Sequence, residues 1–417
     1  MSSTLYLPRL PTLRDLDIKE KKVFMRIDIN VPIDPETGKI ADDRRIKIHS
    51  HYIKRVINEY APALVLGSHQ GRPGGYEFIT LEQHAELLAR YSGLDVRYVE
   101  DVIGPTAREE IRKLRPGEVL LLDNLRFVSE EILEAPPEKQ AFTIMVKKLS
   151  PLFEAYINDA FATAHRSQPS IVGIPLSLPS AIGLLFEKEL DALRKTMTPQ
   201  NIPRIFILGG KKVAETLRVI ENLTRNKLAE RILTTGLLAQ LFLVAKGIDI
   251  GIENIRVLEE NGILPLVPRA RYILMRGAPI ETPVDFVVRV NNNVKNLHVG
   301  ELKGGVIKDI GENTINIYRE FIREAKVIVM RGPSGVVEEG FVNGTLELVN
   351  AIYNSNAFTL IAGGQMASMI DESKISEKIH VSTGGNAVLL FLSGEELPAL
   401  KAMELSARMF LGWTLLP

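Results

Sequence analysis

The sequence predicts an α/β protein built on parallel sheets in two domains, and three observations carry that expectation. Short β-branched, apolar runs recur along the chain, each ending in Gly, Ser or Asn and each followed by a longer segment of helical periodicity. The runs are continuously apolar rather than alternating, which suits strands covered on both faces. The chain has 417 residues, more than one ordinary core organises, so two domains are expected.

In the first half the strand candidates are KVFMRIDIN (22–30), ALVLGS (63–68), VLLLDN (119–124) and AYINDA (155–160). In the second they are RIFILGG (204–210), KVIVMRGP (326–333), FTLIAGG (358–364) and IHVSTGG (379–385). LEQHAELLARYSG (81–93) and GTLELVNAIYNS (344–355) read as helices between them. FEKELDALRKTMTPQNIPR (186–204) starts as a charged amphipathic helix and breaks at Pro199 and Pro203. It reads as a rigid connector between domains; the alternative is a surface helix within one large domain. The longest apolar stretch, 237–245 within GLLAQLFLVAKG, is far short of the roughly 20 residues of a membrane span and predicts a buried helix.

Composition narrows the function. Hydrophobic residues make up 45% and charged residues 24%, the profile of a soluble globular protein. Lys+Arg and Asp+Glu are both 51, so no global field draws the chain to nucleic acid or a membrane, and neither partner is expected. Zero cysteines exclude disulfides, thiolate zinc sites and a Cys nucleophile, and fit a reducing, cytoplasmic setting. Residues 1–22 carry charges throughout and do not form a signal peptide.

The two halves carry different chemistry. In the first, Arg26, Arg45, His69, Arg72, Arg126, His165 and Arg166 fall where strands end. In open α/β sheets those ends face the ligand crevice, and Arg forks bind phosphates and carboxylates bidentately. Any one of these residues alone is better read as a solvated charge; the recurrence at four junctions predicts a basic pocket. Asp28 and Asn30 alternate along RIDIN and share one face, where they could accept bonds from ligand hydroxyls. The second half has glycine pairs at 209–210, 304–305, 363–364 and 384–385, three of them after a strand candidate. A glycine turn opening a helix brings backbone N–H groups to phosphates, although Gly-Gly also serves any tight turn. No GxxxxGK[ST] loop and no GxGxxG fingerprint is present. An anion pocket in one half and a phosphate cradle in the other suggest two ligands meeting across a cleft.

Seven strings in order then carry a resemblance: RIDINVP (26–32), GSHQGRP (67–73), LLDNLRF (121–127), NDAFATAHR (158–166), ILGGKKV (207–213), GPSGVVE (332–338) and HVSTGGNA (380–387). Together they resemble the motifs of phosphoglycerate kinases, from about residue 13 to residue 403. The resemblance implies two Rossmann-like, doubly wound parallel-sheet domains joined by a hinge helix. Residues 1–185 would bind phosphoglycerate, with the tail 397–417 packing back on them; 186–203 would be the helix and linker, and 204–396 the nucleotide domain. It implies reversible phosphoryl transfer between ATP and the carboxylate of 3-phosphoglycerate, giving 1,3-bisphosphoglycerate and ADP, with Mg²⁺ accompanying the nucleotide. By motif position Asp28, Asn30, His69, Arg72, Arg126 and Arg166 would bind the acid, and Arg45 of DRRIK would bind it and act in catalysis. Lys212, Gly384 and Gly385 would face the transferred phosphoryl group. Gly209, Gly210, Lys212, Thr216, Gly363, Gly364, Gln365 and Met366 would line the nucleotide, with Glu338 on its ribose. The resemblance also implies an open form that closes over both ligands to exclude water. A monomer is expected, with an oligomer left open.

Three departures from the family pattern fall in the nucleotide half. A second lysine common after GGAKV is Thr216 here, with an extra Lys211 beside Lys212. The usual WNGP reads MRGP, placing Arg331 where asparagine is common. The usual GGGDT reads AGGQM, so Gln365 stands for a metal-binding aspartate and Met366 for the threonine, and the metal ligands are left open. Lys211 or Arg331 could supply positive charge. The departures fit lineage variation at a working site, altered metal or nucleotide preference, or a non-catalytic binding protein on the same scaffold. The complete set of acid-binding residues and Arg45 argue against the last. Trp413, the only tryptophan, is expected to be buried against the first domain.

Overall fold

The computed structural model describes residues 7–198, 200–291 and 293–414. Residues 1–6 of the expected first domain, Pro199 of the linker and 415–417 of the returning tail lie outside the described residues, as does position 292. The chain forms two compact units, one of Leu7–Leu190 with the segment from Glu396 onward, the other containing Asp191–Glu395. The division falls inside helix Leu184–Met197.

The first unit holds strands β1 (Lys22–Arg26), β2 (Ala63–Gly67), β3 (Val96–Val99), β4 (Val119–Leu122), β5 (Ala155–Asn158) and β6 (Ser180–Ile182). They form one sheet in the order β3-β4-β2-β1-β5-β6, and every pairing is parallel. Successive side chains of β1 point to opposite faces, and Val23, Phe24 and Met25 are all fully buried. That is why the run is continuously apolar. Met25 packs in the cluster with Leu66, Ile157 and the stripe Ile46, Ile53, Val56 and Ile57 of helix Arg44–Tyr60. Phe24 packs on the other face against Phe153 and Tyr156, with ring centroids 5.4 and 6.0 Å apart. Truncating Ile53 to Ala in this core would cost about 2–5 kcal/mol. Helix Pro398–Phe410 rejoins this unit, with Ala399 N–H donating to the Ala164 carbonyl and Ser406 Oγ to that of Leu178. Trp413 is half-buried rather than enclosed, with the Arg9 guanidinium 4.9 Å from its ring centre.

The second unit holds β7 (Arg204–Leu208), β8 (Arg231–Thr234), β9 (Ile280–Glu281), β10 (Asp285–Val290), β11 (Asn293–His298), β12 (Val306–Ile310), β13 (Val327–Arg331), β14 (Phe358–Ala362) and β15 (Ile379–Ser382). Six of them form a parallel sheet in the order β15-β14-β13-β7-β8-β9. Helices Glu312–Glu324 and Asn343–Tyr353 cover one face through Ile315, Ile322, Leu348 and Ile352, against Ile207 and Met330. The apolar segment at 237–245 lies in helix Gly236–Ala245, whose Leu238, Leu241 and Phe242 are buried.

The expectation of parallel sheets alone missed an antiparallel sheet in the order β11-β10-β12. Its strand β11, NVKNLH, is mostly exposed and polar and so carries no apolar run. The pair Gly304-Gly305 precedes β12 of this sheet; a Cβ on Gly305 would come 2.6 Å from Val288 Cγ1. Gly305 is thus required by strand packing, while Gly304 beside it takes a left-handed turn at φ 82° with open space around it.

Candidate functional site

In the parallel sheet of the first unit the loops after β1, β2, β4 and β5 emerge at one edge, because Arg26 registers with Gly67 on β2 and with Asn158 on β5. Arg26 is not a surface cation. It is fully buried, its Nε donates to Ser170 Oγ at 2.9 Å, and Ser170 Oγ in turn donates to the buried Glu131 carboxylate. Arg26 NH2 lies 4.0 Å from Glu131 Oε1 and 3.0 Å from His69 Nδ1. The reading of Arg26 as a pocket residue is therefore corrected: it is an internal strut, and burial of an unpaired guanidinium explains why Glu131 and Ser170 accompany it. Burial pushes the Glu131 carboxyl up, while Arg26 and Ser170 pull it back.

The strut sets the chemistry of His69. A guanidinium can only donate, so Nδ1 accepts from Arg26 and the ring proton belongs on Nε2. Burial first, then the charges of Arg26, Arg166, Arg45 and Arg72, hold its pKa well below the usual imidazole value. His69 is thus a neutral hydrogen-bond donor, and Asp28 Oδ1, 3.9 Å from Nδ1, faces it without a charge pair.

Asp28 is buried and receives Arg45 NH1 on Oδ2 at 2.5 Å; Arg45 also reaches the Asn30 carbonyl at 3.3 Å. Arg45 stands in the first turn of helix Arg44–Tyr60, which has no acidic residue there. Cations at a helix N-terminus add to the positive end of the macrodipole, so this corner favours an anion. Asn30 Oδ1 accepts from Gly71 N–H at 2.9 Å, and Arg126 NH1 donates to the Gly71 carbonyl. Beneath them Gln70 and Asn124 clamp the loops: Gln70 bonds both backbone groups of Val31, and Asn124 bonds Gln70, Ile79 and Arg126.

Asp28, Arg45, His69, Arg72 and Arg166 thus form one electrostatic cluster, and Asn30 and Arg126 join it through Gly71. Burial lowers the Arg166 pKa; Asp28 opposes this and the neighbouring Arg26, Arg72 and Arg45 add to it. The buried Nε atoms of Arg126 and Arg166 have no partner among the described residues. Donors held without acceptors beside several cations are the chemistry of an anion site.

On the second unit, β7, β13 and β14 run side by side and end in register, Arg331 pairing with Leu208 and with Ala362. The turns Gly209-Gly210, Gly332-Pro333 and Gly363-Gly364 therefore share one edge. Gly209 and Gly332 are required by close approach: a Cβ on Gly332 would collide with the Gly209 carbonyl, and one on Gly209 with Thr235 Oγ1. Lys212 precedes helix Val213–Arg225 and its Nζ donates to Asn386 Oδ1 at 2.6 Å. Asn386 lies in helix Gly385–Leu392, whose preceding Gly384 N–H donates to Ser382 Oγ at 2.9 Å. Thr216 is buried and turned inward, donating to the Lys212 carbonyl at 2.8 Å.

The departures at Lys211 and Gln365 meet on one carboxylate. Glu338 Oε1 accepts from Lys211 Nζ at 2.7 Å and from Gln365 Nε2 at 3.3 Å. The bond from Lys211 is the main cause holding the Glu338 carboxyl below its usual range. Met366 is fully buried in the core, which leaves only its backbone to meet a ligand. Asp309 of β12, which sequence reasoning missed, anchors the Glu338 segment by accepting from Ser334 Oγ at 2.7 Å and Gly344 N–H at 2.8 Å. Its signal is tertiary: Asp309 is an acid inside an antiparallel strand, far in sequence from the loop it ties. No group of three His, Cys, Asp or Glu side chains among the described residues could hold a metal ion.

Two parallel α/β units, one with an arginine-rich anion edge and the other with glycine turns and a lysine, define a protein that handles phosphorylated ligands. The sequence model described as phosphoglycerate kinase matches residues 13–395. The chain belongs to the phosphoglycerate kinase family. It is 54% identical over 400 residues to the phosphoglycerate kinase of Saccharolobus solfataricus, covering 95% of this chain and 97% of that one. It is 52% identical to that of Sulfurisphaera tokodaii, covering 95% and 96%. The crystal structure of the Pyrococcus horikoshii enzyme superposes with a TM-score of 0.89 at 40% identity, covering 96% of this chain and all of that one. The fold is thus two parallel-sheet α/β domains, as expected, and no helix among the described residues is long and apolar enough to cross a membrane.

Proposed function

We propose that this chain reversibly transfers a phosphoryl group between ATP and the carboxylate of 3-phosphoglycerate. The observation that carries the reading is the cluster of Arg45, His69, Arg72, Arg126 and Arg166 around Asp28 and Asn30, with buried N–H donors of Arg126 and Arg166 still without acceptors. A phosphate and a carboxylate on one small molecule match that donor set. Asp28 and Asn30 hold the cations in place and can accept from the ligand hydroxyl, while His69 donates from Nε2. Arg45, already at the edge, meets the negative charge that develops on the migrating group.

The nucleotide falls to the other unit in this reading. Gly209, Gly210, Gly363 and Gly364 bring backbone close, Lys212 faces the phosphates with Gly384 and Gly385, and Glu338 takes the ribose hydroxyls, with Thr216, Gln365 and Met366 lining the site. Mg²⁺ enters on the nucleotide as part of the substrate. The donor set suits that arrangement, since Mg²⁺ keeps phosphate and water oxygens and needs few from protein. The Gln365 amide carbonyl is the nearest counterpart of a carboxylate ligand. Cytoplasmic location, suited to a cysteine-free chain, and a monomeric state complete the reading.

The test is a coupled assay of ATP-dependent 1,3-bisphosphoglycerate formation, with Arg45→Ala as control. Wild-type protein is expected to exceed that control by about 10²–10³-fold in kcat, the loss typical of one donor to developing charge. Wild-type turnover no better than the control would overturn the kinase reading. Domain closure belongs to the same proposal, and X-ray scattering that showed no compaction with both ligands present would remove it. The non-catalytic alternative is not favoured in a chain so close to named kinases over nearly its whole length.

A further inference from the structure

Arg331 ends β13 at the edge where three glycine turns meet, yet the residue is only 8% exposed. It has no ion pair with a carboxylate among the described residues. Among the described residues its one side-chain hydrogen bond, from NH1 to Thr216 Oγ1, is long at 3.4 Å, and its Nε has no partner. The contrast with two other buried arginines is direct. Arg26 has Glu131 as a carboxylate neighbour, and Arg204 has Glu230 3.7 Å from its Nε, although the Nε and NH1 of Arg204 also make no hydrogen bond among the described residues; what Arg331 alone of the three lacks is the counter-charge. Arginine does not escape burial by losing its proton, so an enclosed guanidinium without a counter-charge is costly unless an anion joins it.

Its surroundings say which side the anion comes from. Gly209 N–H donates to the Arg331 carbonyl at 2.8 Å, so the guanidinium and the Gly209-Gly210 turn spring from adjoining strand ends. Thr216 Oγ1, which receives Arg331, donates onward to the Lys212 carbonyl, and Lys212 reaches Asn386. Arg331 is therefore wired to the backbone of the lysine assigned to the phosphates. Burial lowers its pKa, with only Glu215 opposing, which agrees with an environment short of negative charge.

We propose that Arg331 is a phosphate-binding residue of the nucleotide site, completing its charge with a phosphate of the bound nucleotide and supporting Lys212 through Thr216. This rests on the nucleotide assignment made above and adds to it a residue that acts on phosphates rather than on the base or ribose.

The test uses the full chain, with ADP and adenosine as probes in titration calorimetry. For Arg331→Met the expected result is an ADP affinity lower by about 10- to 100-fold, the range for a lost charged hydrogen bond, with adenosine affinity unchanged. Arg331→Lys keeps the charge without the fork and is expected to fall between the two. The ligand-free Met variant should melt no lower than wild type, because it removes an uncompensated buried charge, while its ADP-induced rise in melting temperature shrinks. Equal losses of ADP and adenosine, or an unchanged ADP affinity, would overturn the assignment. If the Met variant does not fold, the Lys variant decides: selective weakening of ADP supports the proposal and unaltered ADP binding overturns it. Wild-type protein that binds no ADP would overturn the functional reading as well, whereas active wild type with an indifferent Arg331 would overturn this inference alone.

Discussion

Asp159 offers a pH test of how the first unit is held together. Its carboxyl is fully buried after β5, where Oδ1 accepts the Phe186 backbone N–H at 2.9 Å in the first turn of helix Leu184–Met197. Gly183 packs so closely that a Cβ there would collide with it. Burial pushes the Asp159 pKa up from 3.8 to about 7; the N–H groups of Phe186 and Leu185 oppose this, and Glu189 adds to it. The native protein therefore keeps a proton over a range in which the unfolded chain has lost it. The resulting penalty is absent below the unfolded value, grows as pH rises and is complete above the folded one. The gap between 3.8 and about 7, at about 1.4 kcal/mol per pH unit, makes that penalty about 4 kcal/mol. Asp159→Asn retains the Oδ1 acceptor and cannot ionise. Its stability relative to wild type should rise by about 4 kcal/mol between about pH 4 and about pH 8. Oδ2 has no partner among the described residues and the asparagine amide would inherit that position, a cost independent of pH that cancels in the comparison. Guanidinium denaturation of both proteins at the two pH values, followed by circular dichroism, measures the difference. A gap between them that stays constant with pH would refute the reasoning.

Two further substitutions separate support from contact. Glu131→Ala leaves the buried Arg26 with the neutral partners Ser170 and His69 but no carboxylate, and should destabilise the protein by about 3–5 kcal/mol in denaturant titrations, with Glu131→Gln costing less; a neutral Ala variant would mean that Arg26 is not a strut. Lys211→Ala breaks a pair whose side chains are at least half exposed, so ADP affinity should change by less than about fivefold in calorimetry. A much larger loss would show Lys211 touching phosphate directly rather than orienting Glu338.

Much of the fold was legible because the sheets are buried on both faces. Each strand candidate from 22–30 to 379–385 contains a strand, and each strand stops a few residues before the run does, at the first loop residues. Short strands escaped: β3, β6, β8 and β9 have two to four residues and offer too little apolar sequence to register. β11 escaped for the opposite reason, being long enough but polar on an open sheet. Within the first site, sequence position alone could not separate a strut from a ligand-binding arginine. Arg26 and Arg126 look alike at strand ends, and what distinguishes them is Glu131 and Ser170, the latter 144 residues from Arg26 in the chain. The second site was read less completely. Lys211 and Gln365 stood out as departures, but that both would converge on Glu338 depends on three loops meeting in space.

That contrast bears on how each unit prepares for its ligand. In the first, the groups beneath the cations are buried and mutually bonded: Arg26, Ser170, Glu131 and His69 in one chain, Gln70, Asn124 and Arg126 in another. Their geometry is fixed before an anion arrives, so binding there need not order the donors. In the second, Lys211, Glu338 and Gln365 hold one another across exposed side chains, where water and salt compete and each contact is worth little. On the proposed assignment, the bonds that a nucleotide would replace are weak ones. It follows that raising ionic strength should loosen the Glu338 cluster far more than the Asp28 cluster. Of the charged residues proposed for the nucleotide, the one shielded from that effect is Arg331, which is buried and has no carboxylate partner among the described residues.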